Sequence, residues 1–570
     1  MNANPGDNQP EEQPDPGTNA MTDRFREVGT RILDALLATD PEWASELGDS
    51  RFFGRLADHS PQGESHRMAV LSDALGALDA IDDTLLPVAD QVDLETLRGK
   101  VSGDMWRHTE LRQHTWDPMV HLPGGALYTL LTTQVWPVGE RLGALADCCR
   151  LVPQHLATAR GVLDDGPGMP RAHIESALTQ ARGTVAMLGR DVDALLEEEP
   201  SLRSEVVPAR DEARAALEEH IAWLDSESRT AVASPRLGER RYAAQLWYTL
   251  DTEISPEVLL TRAQSDLIAA EEEIADVAAS YDGRAPYAGQ VREVLRRVST
   301  ANASAPETIR PLCEEALGHV TDRLRDTDLV SVPERPLQVI DMPEARRGVA
   351  VAYCDPPGAL APDTGAPTLL AVAPPMAGGG SSQGSFYREY NAVMLRNLMA
   401  HEALPGHALQ MAHMAATSGL SRIRRALQNE TFVEGWAVYA EELLASREWE
   451  GAASGDDRAL RLFQLKSRIR VIINAILDVR IHAYGMTEEE AMALMTERGH
   501  QEEEEAAGKW HRAQLGSAQL STYYVGYREV SDLARDLGNV RTTARPREIH
   551  DSLLAHGAPP PRHLRSLLRV

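Results

Sequence analysis

Apolar residues recur at three- and four-residue spacing through most of the first half of the chain. This period is typical of amphipathic α-helices that bury one face. Turn residues interrupt it near positions 165–168, 200–201 and 234–235, and no repeat of fixed length stands out, which favours a helical bundle over a solenoid. The clearest helical segments are FREVGTRILDALLATD, ESHRMAVLSDALGALDAIDDTLL, QVDLETLRGKV, PRAHIESALTQARGTVAMLGRDVDALLEEE and PEVLLTRAQSDLIAAEEEIADVAASY.

The pattern changes between residues 330 and 390, where three short β-prone runs are bounded by proline. They are VPERPLQVIDMP, RRGVAVAYCDPP and PTLLAVAPP, and they predict a small sheet near residues 330–375. The run from Thr368 to Ala373 fits either a strand at the edge of a cleft or a buried connector. Helical spacing returns from Phe386 to the C-terminus. The sequence therefore predicts a mostly α fold with a minor β element in its second half.

Glycine and serine dominate the segment GGGSSQGS at residues 378–385. A phosphate-binding loop would end in Gly-Lys followed by Ser or Thr, and that ending is missing here. We expect a flexible loop beside a site. The acidic run from Glu502 to Glu505 is typical of a solvated helix face, and no role is assigned to it.

Composition narrows the class of protein. Hydrophobic residues make up 43% and charged residues 25%, which is typical of a folded globular chain. The 57 basic and 86 acidic residues give a net charge of −29, which disfavours nucleic acid as a partner. Four cysteines without a C-x-x-C pair indicate buried thiols in a reducing compartment. No apolar run is long enough to span a membrane. We expect a cytoplasmic protein, and its oligomeric state stays open.

The first 21 residues are rich in Pro, Asn, Asp and Glu, a composition that predicts a disordered tail without the features of a signal peptide. No clear boundary divides the remainder. We expect a single large domain over residues 22–565, with an N-terminal helical part at 22–325 and a catalytic part at 326–565.

The residues most informative about chemistry are His401-Glu402-Ala403-Leu404-Pro405-Gly406-His407, followed later by Glu434 in FVEGWAVYAEE. Two imidazoles and one carboxylate form a common ligand set for catalytic zinc, and a glutamate beside the first histidine can act as general base. In a regular helix, however, residues six apart differ by ~240° and lie on different faces. The helix must therefore be distorted if both histidines bind one metal.

Pro405 and Gly406 give a reason for such a distortion. Proline lacks the backbone N–H and clashes with the carbonyl four residues earlier, which here belongs to His401. We predict a break or bulge at Leu404 to Gly406 that brings the two imidazoles together. The alternative is that both histidines only complete hydrogen bonds near a helix end.

Four segments occur in an order that resembles the DUF885 family: HEALPGHALQ, FVEGWAVYAEEL, LDVRIHAYGMTEEEA and QLSTYYVGYREV. The resemblance covers roughly residues 22–565. It implies a zincin-type metallopeptidase, related in fold to the helical gluzincins, with a deep cleft edged by a short sheet. It also implies one zinc ion bound by His401, His407 and Glu434, with Glu402 as general base. Asn474 and Ser517-Ala518 depart from the family pattern, and these differences concern substrate selection.

A polar stripe interrupts the apolar segment IRVIINAILDVRIHAYG, where Arg470, Asn474, Asp478 and His482 recur every four residues. The stripe fits either a cleft lining or a solvated surface. In the first case Asn474 and His482 contact substrate, and Asp478 orients a zinc-binding histidine through its free ring nitrogen.

Further polar side chains gather near the C-terminus in KWHRAQLGSAQLSTYYVGY. We expect Tyr523, at the family's tyrosine position, to donate a hydrogen bond to a reaction oxyanion, and Arg512 and Gln519 to contact a substrate carboxylate or backbone. A structural tyrosine is the alternative. His413 lies six residues beyond His407, and by the same angular argument it is not expected to be a ligand.

Together these features predict a zinc-dependent hydrolase of peptide-like amide bonds, acting on a short peptide or an amino-acid-derived small molecule. Two alternatives stay open. The chain could catalyse another metal-dependent reaction on an amino-acid-derived metabolite, or it could be a non-catalytic helical binding protein.

Overall fold

The computed structural model describes residues 16–342, 352–372, 382–445 and 455–570. Helices make up most of these residues, as the spacing predicts. In the first half they are α1 Pro16–Thr39, α2 Pro41–Glu46, α3 Pro61–Asp79, α4 Val88–Trp106, α5 Gly124–Thr132, α6 Val138–Asp164, α7 Arg171–Glu198, α8 Arg203–Ser228, α9 Glu239–Leu250, α10 Pro256–Asp282, α11 Gln290–Ala301 and α12 Ile309–Asp326.

The second half begins with three short strands and returns to helices. The strands are β1 Leu337–Asp341, β2 Ala352–Asp355 and β3 Thr368–Val372. The helices are α13 Ser382–Glu389, α14 Ala392–Glu402, α15 His407–Ala416, α16 Arg422–Ala426, α17 Glu430–Ala445, α18 Gly455–His482, α19 Glu488–Ala493, α20 Glu503–Ala513, α21 Gln519–Val540, α22 Pro546–Leu554 and α23 Pro561–Leu568. None of the helices in the described ranges is long and apolar enough to cross a membrane.

Local sequence signals set several helix ends. Before α10, the Ser255 hydroxyl accepts a hydrogen bond from the backbone N–H of Val258, and Pro256 occupies the first helical position. The helix ends at Gly283, whose φ of +67° lies in the left-handed region. Its apolar face then packs against α18 in the core. The capping residues and the apolar spacing therefore both account for the position of α10 in the sequence.

The sheet has the order β1-β3-β2, with β1 parallel and β2 antiparallel to β3. All five residues of β3 are buried. Of the two alternatives for the Thr368 to Ala373 run, the edge strand is wrong for the described residues, because β3 pairs with a strand on each side. A run that is apolar at every position suits a strand covered on both faces, and here it occupies the centre of the sheet.

Two loop-like expectations also need correction. Residues 16–21, assigned to a disordered tail, form the first turns of α1, and residues 1–15 lie outside the described residues. Residues 382–385 of the predicted flexible loop begin α13, and residues 378–381 lie outside the described residues. Polar composition predicted coil in both places. At the start of α13, however, serine and glutamine are compatible with a helix.

The main hydrophobic core runs from Tyr242 to Leu568 and includes α9 to α12, β1, β3 and most of the later helices. It therefore crosses the boundary between residues 325 and 326, where the sequence places the start of the catalytic part. Smaller clusters lie among α5 to α8 and among α1, α3, α4 and α16. The two parts of the chain therefore share hydrophobic core at two places. Helices α9 to α12 pack with the second part in the main core, and α16 packs with the first part in a smaller cluster.

The four cysteines are free thiols. Cys148, Cys149 and Cys313 are buried and Cys354 is half-buried. Burial raises the pKa of Cys149 and of Cys313 to about 12, so these side chains behave as small apolar groups.

Two glycines let α17 and α21 approach closely. A Cβ atom on Gly435 would lie 2.3 Å from the backbone carbon of Gly526, and one on Gly526 would lie 1.9 Å from the carbonyl oxygen of Thr431. Real Cβ atoms do not tolerate such contacts with backbone, so only glycine fits at this crossing. Because Gly435 follows Glu434 and Gly526 lies one turn after Tyr523, the crossing also sets the distance between these side chains.

We predict that Gly526→Ala destabilises the fold by about 2 kcal/mol or more, because the added methyl group forces two helix backbones apart. Urea unfolding followed by circular dichroism measures the change. Gly508→Ala on α20 is the matched control, since a Cβ there meets nothing within 4 Å and should stabilise the helix by ~0.5–1 kcal/mol. Equal stability of Gly526→Ala and wild type would contradict the close crossing.

Candidate metal centre

The helix that carries His401 stops where the sequence predicts a break. Helix α14 ends at Glu402, and α15 begins at His407. Between them the Leu404–Pro405 peptide is cis, and Leu409 N–H donates to the carbonyl of Ala403. The break over Leu404 to Gly406 is therefore confirmed.

Only a glycine fits at position 406, because the backbone of this break passes close to the carbonyl of His401. A Cβ atom on Gly406 would lie 1.8 Å from the carbonyl oxygen of His401. Its φ of −78° is accessible to any residue, so close approach, and not a left-handed backbone, explains the glycine. The indole N–H of Trp436, which is fully buried, donates to the Pro405 carbonyl over 2.9 Å and holds the turn against α17.

This turn brings the two imidazoles together. The ring centroids of His401 and His407 lie 4.8 Å apart at an interplanar angle of 88°. The Nε2 atom of each ring lies 3.5 Å from the same oxygen, Oε2 of Glu434. One potential ligand atom from each of the three residues falls within 4.8 Å of the other two. The predicted ligand set thus converges on one point.

The contacts of Glu434 fit a bound cation. Its Oε2 atom is buried and has no hydrogen-bond partner among the described residues, a costly state for a carboxylate oxygen. Burial raises the pKa of Glu434, but His401 and His407 together hold it well below its ordinary range, so the group is anionic. An anionic oxygen facing two imidazole nitrogens beyond hydrogen-bond distance has the chemistry of a zinc site, and the three residues fit the metal.

Glu441 orients the first histidine. Its Oε1 atom lies 2.8 Å from Nδ1 of His401, and its Oε2 atom accepts from the side-chain amide of Asn397 over 2.6 Å. The Asn397 amide also donates to the Ser467 hydroxyl. A carboxylate on the far ring nitrogen fixes the orientation of a metal-binding histidine and raises its basicity.

Asp478, expected in this orienting role, is elsewhere. It accepts hydrogen bonds from the backbone N–H groups of Ala518 and Ser521 and from the Ser521 hydroxyl. The prediction that it orients a zinc-binding histidine is therefore wrong. Asp478 instead satisfies the free N–H groups at the start of α21, which is the usual task of an acidic side chain at a helix N-terminus.

Glu402 lies at the end of α14, directly after His401, and is 9% exposed. Strand β2 contacts α14. Burial together with the charges of Glu402 and Asp355 raises the pKa of the Cys354 thiol on β2. Strand β2, an outer strand of the sheet, thus lies beside the expected general base.

Tyr523 reaches the same centre from α21. Its ring stacks toward His401 with centroids 6.5 Å apart and an interplanar angle of 24°. The charge of Glu434 and burial raise the pKa of Tyr523 well above its ordinary value, so the phenol keeps its proton and can donate a hydrogen bond. The exposed Gln519 lies one turn before it, and its amide donates to the Tyr523 hydroxyl over 3.4 Å.

Two of the predicted substrate contacts, Asn474 and His482, are buried inside the helical body. Asn474 is 6% exposed and accepts from the Lys509 ammonium, and His482 is 2% exposed and donates to the carbonyls of Ala513 and Gly516. Their assignment as substrate contacts is therefore wrong. Arg512 is partly exposed and pairs with Glu505 over 3.2 Å.

Asn474 and His482 lie on the same face of α18, and the position of that face explains why both are buried. Arg470, the first residue of the polar stripe, forms ion pairs with Glu389 and Glu505, and the stripe as a whole joins α18 to α20 and α21 inside the body. It is neither a cleft lining nor a solvated surface. His413 donates to the Ser331 carbonyl over 2.7 Å and takes no part in the centre, as predicted.

A cavity of about 460 Å³ lies behind α15, bounded by Met411, Met414 and residues near Asp355 and Thr368. None of the three ligand residues lines it. The candidate metal centre therefore does not open into this cavity through its three ligand residues.

Sequence reasoning missed Glu441 and Asn397. Both have a periodic signal: Glu441 lies two helical turns after Glu434 on the same face of α17, and Asn397 lies one turn before His401 on α14. A carboxylate or amide at four- or seven-residue spacing from a proposed ligand would have identified them.

Comparisons with known proteins agree with this arrangement of elements. A family model described as "Bacterial protein of unknown function (DUF885)" matches residues 41–568. A solved structure from Shewanella oneidensis, described as a candidate lipoprotein of unknown function, has 25% identity and a TM-score of 0.77, with 96% of this chain and 100% of that chain covered. A candidate lipoprotein from Colwellia psychrerythraea has 14% identity and a TM-score of 0.77, with 97% and 98% covered.

No curated protein matches the chain. The family model spans nearly the whole sequence, and the motifs that hold the candidate metal centre lie within the matched residues. The chain belongs to the DUF885 family.

Proposed function

We propose that this protein is a zinc-dependent hydrolase of peptide-like amide bonds in short substrates. The observation that carries the proposal is the approach of two imidazole Nε2 atoms to the buried, unpartnered Oε2 of Glu434, 3.5 Å from each. Glu402 next to the first histidine and Tyr523 above it supply the other groups that hydrolysis needs.

A zinc ion held by His401, His407 and Glu434 would supply Lewis-acid polarisation of an amide carbonyl and would acidify water. Glu402 accepts the proton of the attacking water and delivers it to the leaving amine. Tyr523 donates its phenolic proton in a hydrogen bond to the oxygen that becomes negative. Glu441 keeps the His401 ring fixed while charge develops.

Gln519 is the best-placed group to hold the substrate. It is exposed, it is the first residue of α21, and its amide already contacts the Tyr523 hydroxyl. An amide can donate to a peptide carbonyl and accept from a peptide N–H, which suits a substrate of peptide-like chemistry. Arg512 offers a positive charge for a substrate carboxylate from the neighbouring helix α20.

The proposed compartment is the cytoplasm, on the basis of the free thiols and the composition of the chain. The two structural relatives are described as candidate lipoproteins. Fractionation of the native host with an antibody to this chain tests the compartment.

We predict that His407→Ala lowers bound zinc by one equivalent per chain, because it removes one of three ligands. Elemental analysis of dialysed protein measures the change. His413→Ala on the same helix is the matched control and should keep the wild-type zinc content, since its ring contacts the Ser331 carbonyl. Equal zinc in wild type and His407→Ala would show that the ligand set is wrong.

We predict that Glu402→Gln keeps this zinc and loses ~10²- to 10⁴-fold in kcat, because an amide can hydrogen-bond water but cannot accept its proton. The substrate comes from a panel of short peptides with free and blocked ends, screened with wild type. Near-normal turnover would remove Glu402 from the base role. A wild type that binds zinc and cleaves no peptide would favour another metal-dependent reaction.

We predict that Glu441→Gln weakens zinc binding by ~10- to 100-fold, because the charge that orients His401 and raises its basicity is lost. Competition with a chromogenic zinc chelator gives the dissociation constant. The surface residue Glu272 on α10 supplies the control, Glu272→Gln, which should bind as wild type does. Unchanged affinity in Glu441→Gln would mean that the His401–Glu441 contact serves packing only.

A further inference from the structure

A second cluster of metal-binding side chains lies in the first helical part, on α3 and on the turns that follow α4. One potential ligand atom from each of Glu64, His108 and His114 falls within 4.8 Å of the other two. The Oε2 atom of Glu64 lies 2.9 Å from Nδ1 of His108. The residue types match the candidate catalytic centre, although all three come from other elements.

Irregular backbone presents the two histidines. Residues Arg107–Leu111 form a π-helical turn directly after α4, and Arg112 then adopts a left-handed φ of +50°. A short 3₁₀ turn at Gln113–Thr115 follows and carries His114. The indole N–H of Trp116 donates to the Leu111 carbonyl over 3.0 Å and closes the segment. Isolated π turns and left-handed non-glycine residues are frequent at functional sites.

Glu64 is held from its other side. Its Oε1 atom lies 3.2 Å from Nδ1 of His59 and 3.8 Å from Nε of Arg67. These contacts fix Oε1 and turn Oε2 toward His108. Outer partners that orient a carboxylate in this way are a usual part of metal sites, as at His401 and Glu441 in the first centre.

His114 has a free buried nitrogen. Its Nδ1 atom is inaccessible to water and has no hydrogen-bond partner within the described part of the chain. Its carbonyl accepts from Nε2 of His121 over 2.7 Å, and the His121 ring meets the edge of His59 at a centroid distance of 4.9 Å. The backbone of His114 is thus fixed, while its ring keeps an unsatisfied polar atom that burial makes costly.

The cluster borders a cavity of about 340 Å³ whose lining includes His59, His108, Gln113 and His114. The side chains of Glu64 and His108 are 15% and 19% exposed. The cavity offers an entry path and room for a water molecule to complete a coordination shell. Two imidazoles with one carboxylate favour a borderline ion such as Zn²⁺ over Mg²⁺ or Ca²⁺, which prefer sets of oxygen ligands.

We propose that Glu64, His108 and His114 bind a second divalent transition-metal ion of the zinc type, distinct from the catalytic zinc. The ion ties the first turn of α3 to the irregular segment after α4. It contributes to the stability of the first helical part and takes no part in the chemistry at Glu434. This proposal does not depend on the hydrolase assignment, because the two sites share no residue.

The test counts zinc by equilibrium dialysis of the full-length protein against zinc alone, followed by elemental analysis. We expect two equivalents per chain in wild type, one in His108→Ala, one in His407→Ala and none in the double variant. Glu64→Gln keeps the size of the side chain and removes its charge. This variant replaces His108→Ala in the test if His108→Ala does not fold. The affinity of Glu64→Gln for the second zinc should be more than ~10-fold lower than that of wild type.

His66→Ala is the matched control, because His66 lies two residues after Glu64 on the exposed face of α3, and it should keep both equivalents. Added zinc should also raise the Tm of His407→Ala, where only the second site remains, and leave the Tm of His407→Ala/His108→Ala unchanged. Equal zinc content and equal zinc-dependent Tm in these two variants would overturn the second site. A loss of zinc in His407→Ala but not in His108→Ala would also overturn the second site, and it would leave the catalytic proposal intact.

Discussion

Glu434 carries the constraint on which the arrangement of the second half depends. It places an anionic oxygen inside the helical body, where an isolated charge is very costly. Both imidazoles must approach it to offset that cost, so α14, α15 and α17 have to meet at one point. The break between α14 and α15 and the outer contacts of His401 follow from this requirement. The centre is polar inside and is surrounded by the apolar core of the largest cluster.

The helices that carry the candidate metal centre meet through close contacts between their backbones more than through large side chains. Gly406 lets the His407 helix start against the carbonyl of His401, and Gly435 with Gly526 lets α21 lie against α17. Each of these contacts has room for no Cβ atom. Three glycines thus set the positions of the three candidate ligands and of Tyr523, whereas the hydrophobic side chains around them can exchange volume more freely.

The sequence was sufficient for the helical class, the small sheet and the convergence of His401, His407 and Glu434, because spacing and residue type report directly on local structure. The break after Glu402 was predictable for the same reason, since Pro405 cannot continue the helix. The roles of Asp478, Asn474 and His482 were not. Four-residue spacing shows that residues share a face of α18, but it does not show which neighbour that face meets, and burial against α20 and α21 is a property of the whole fold. The position of β3 in the centre of the sheet depends in the same way on strand order, which apolar spacing does not encode.

The three candidate metal ligands come from helices that follow one another closely in the chain, and Tyr523 comes from a helix far beyond them. Contacts between segments near in sequence close short loops and lose little chain entropy, whereas the pairing of α17 with α21 closes a long one. The ligand cluster can therefore assemble during folding before the C-terminal helices dock. In a chain made from its N-terminus, the α14 to α17 segment leaves the ribosome first, and α21, which carries Tyr523, follows it.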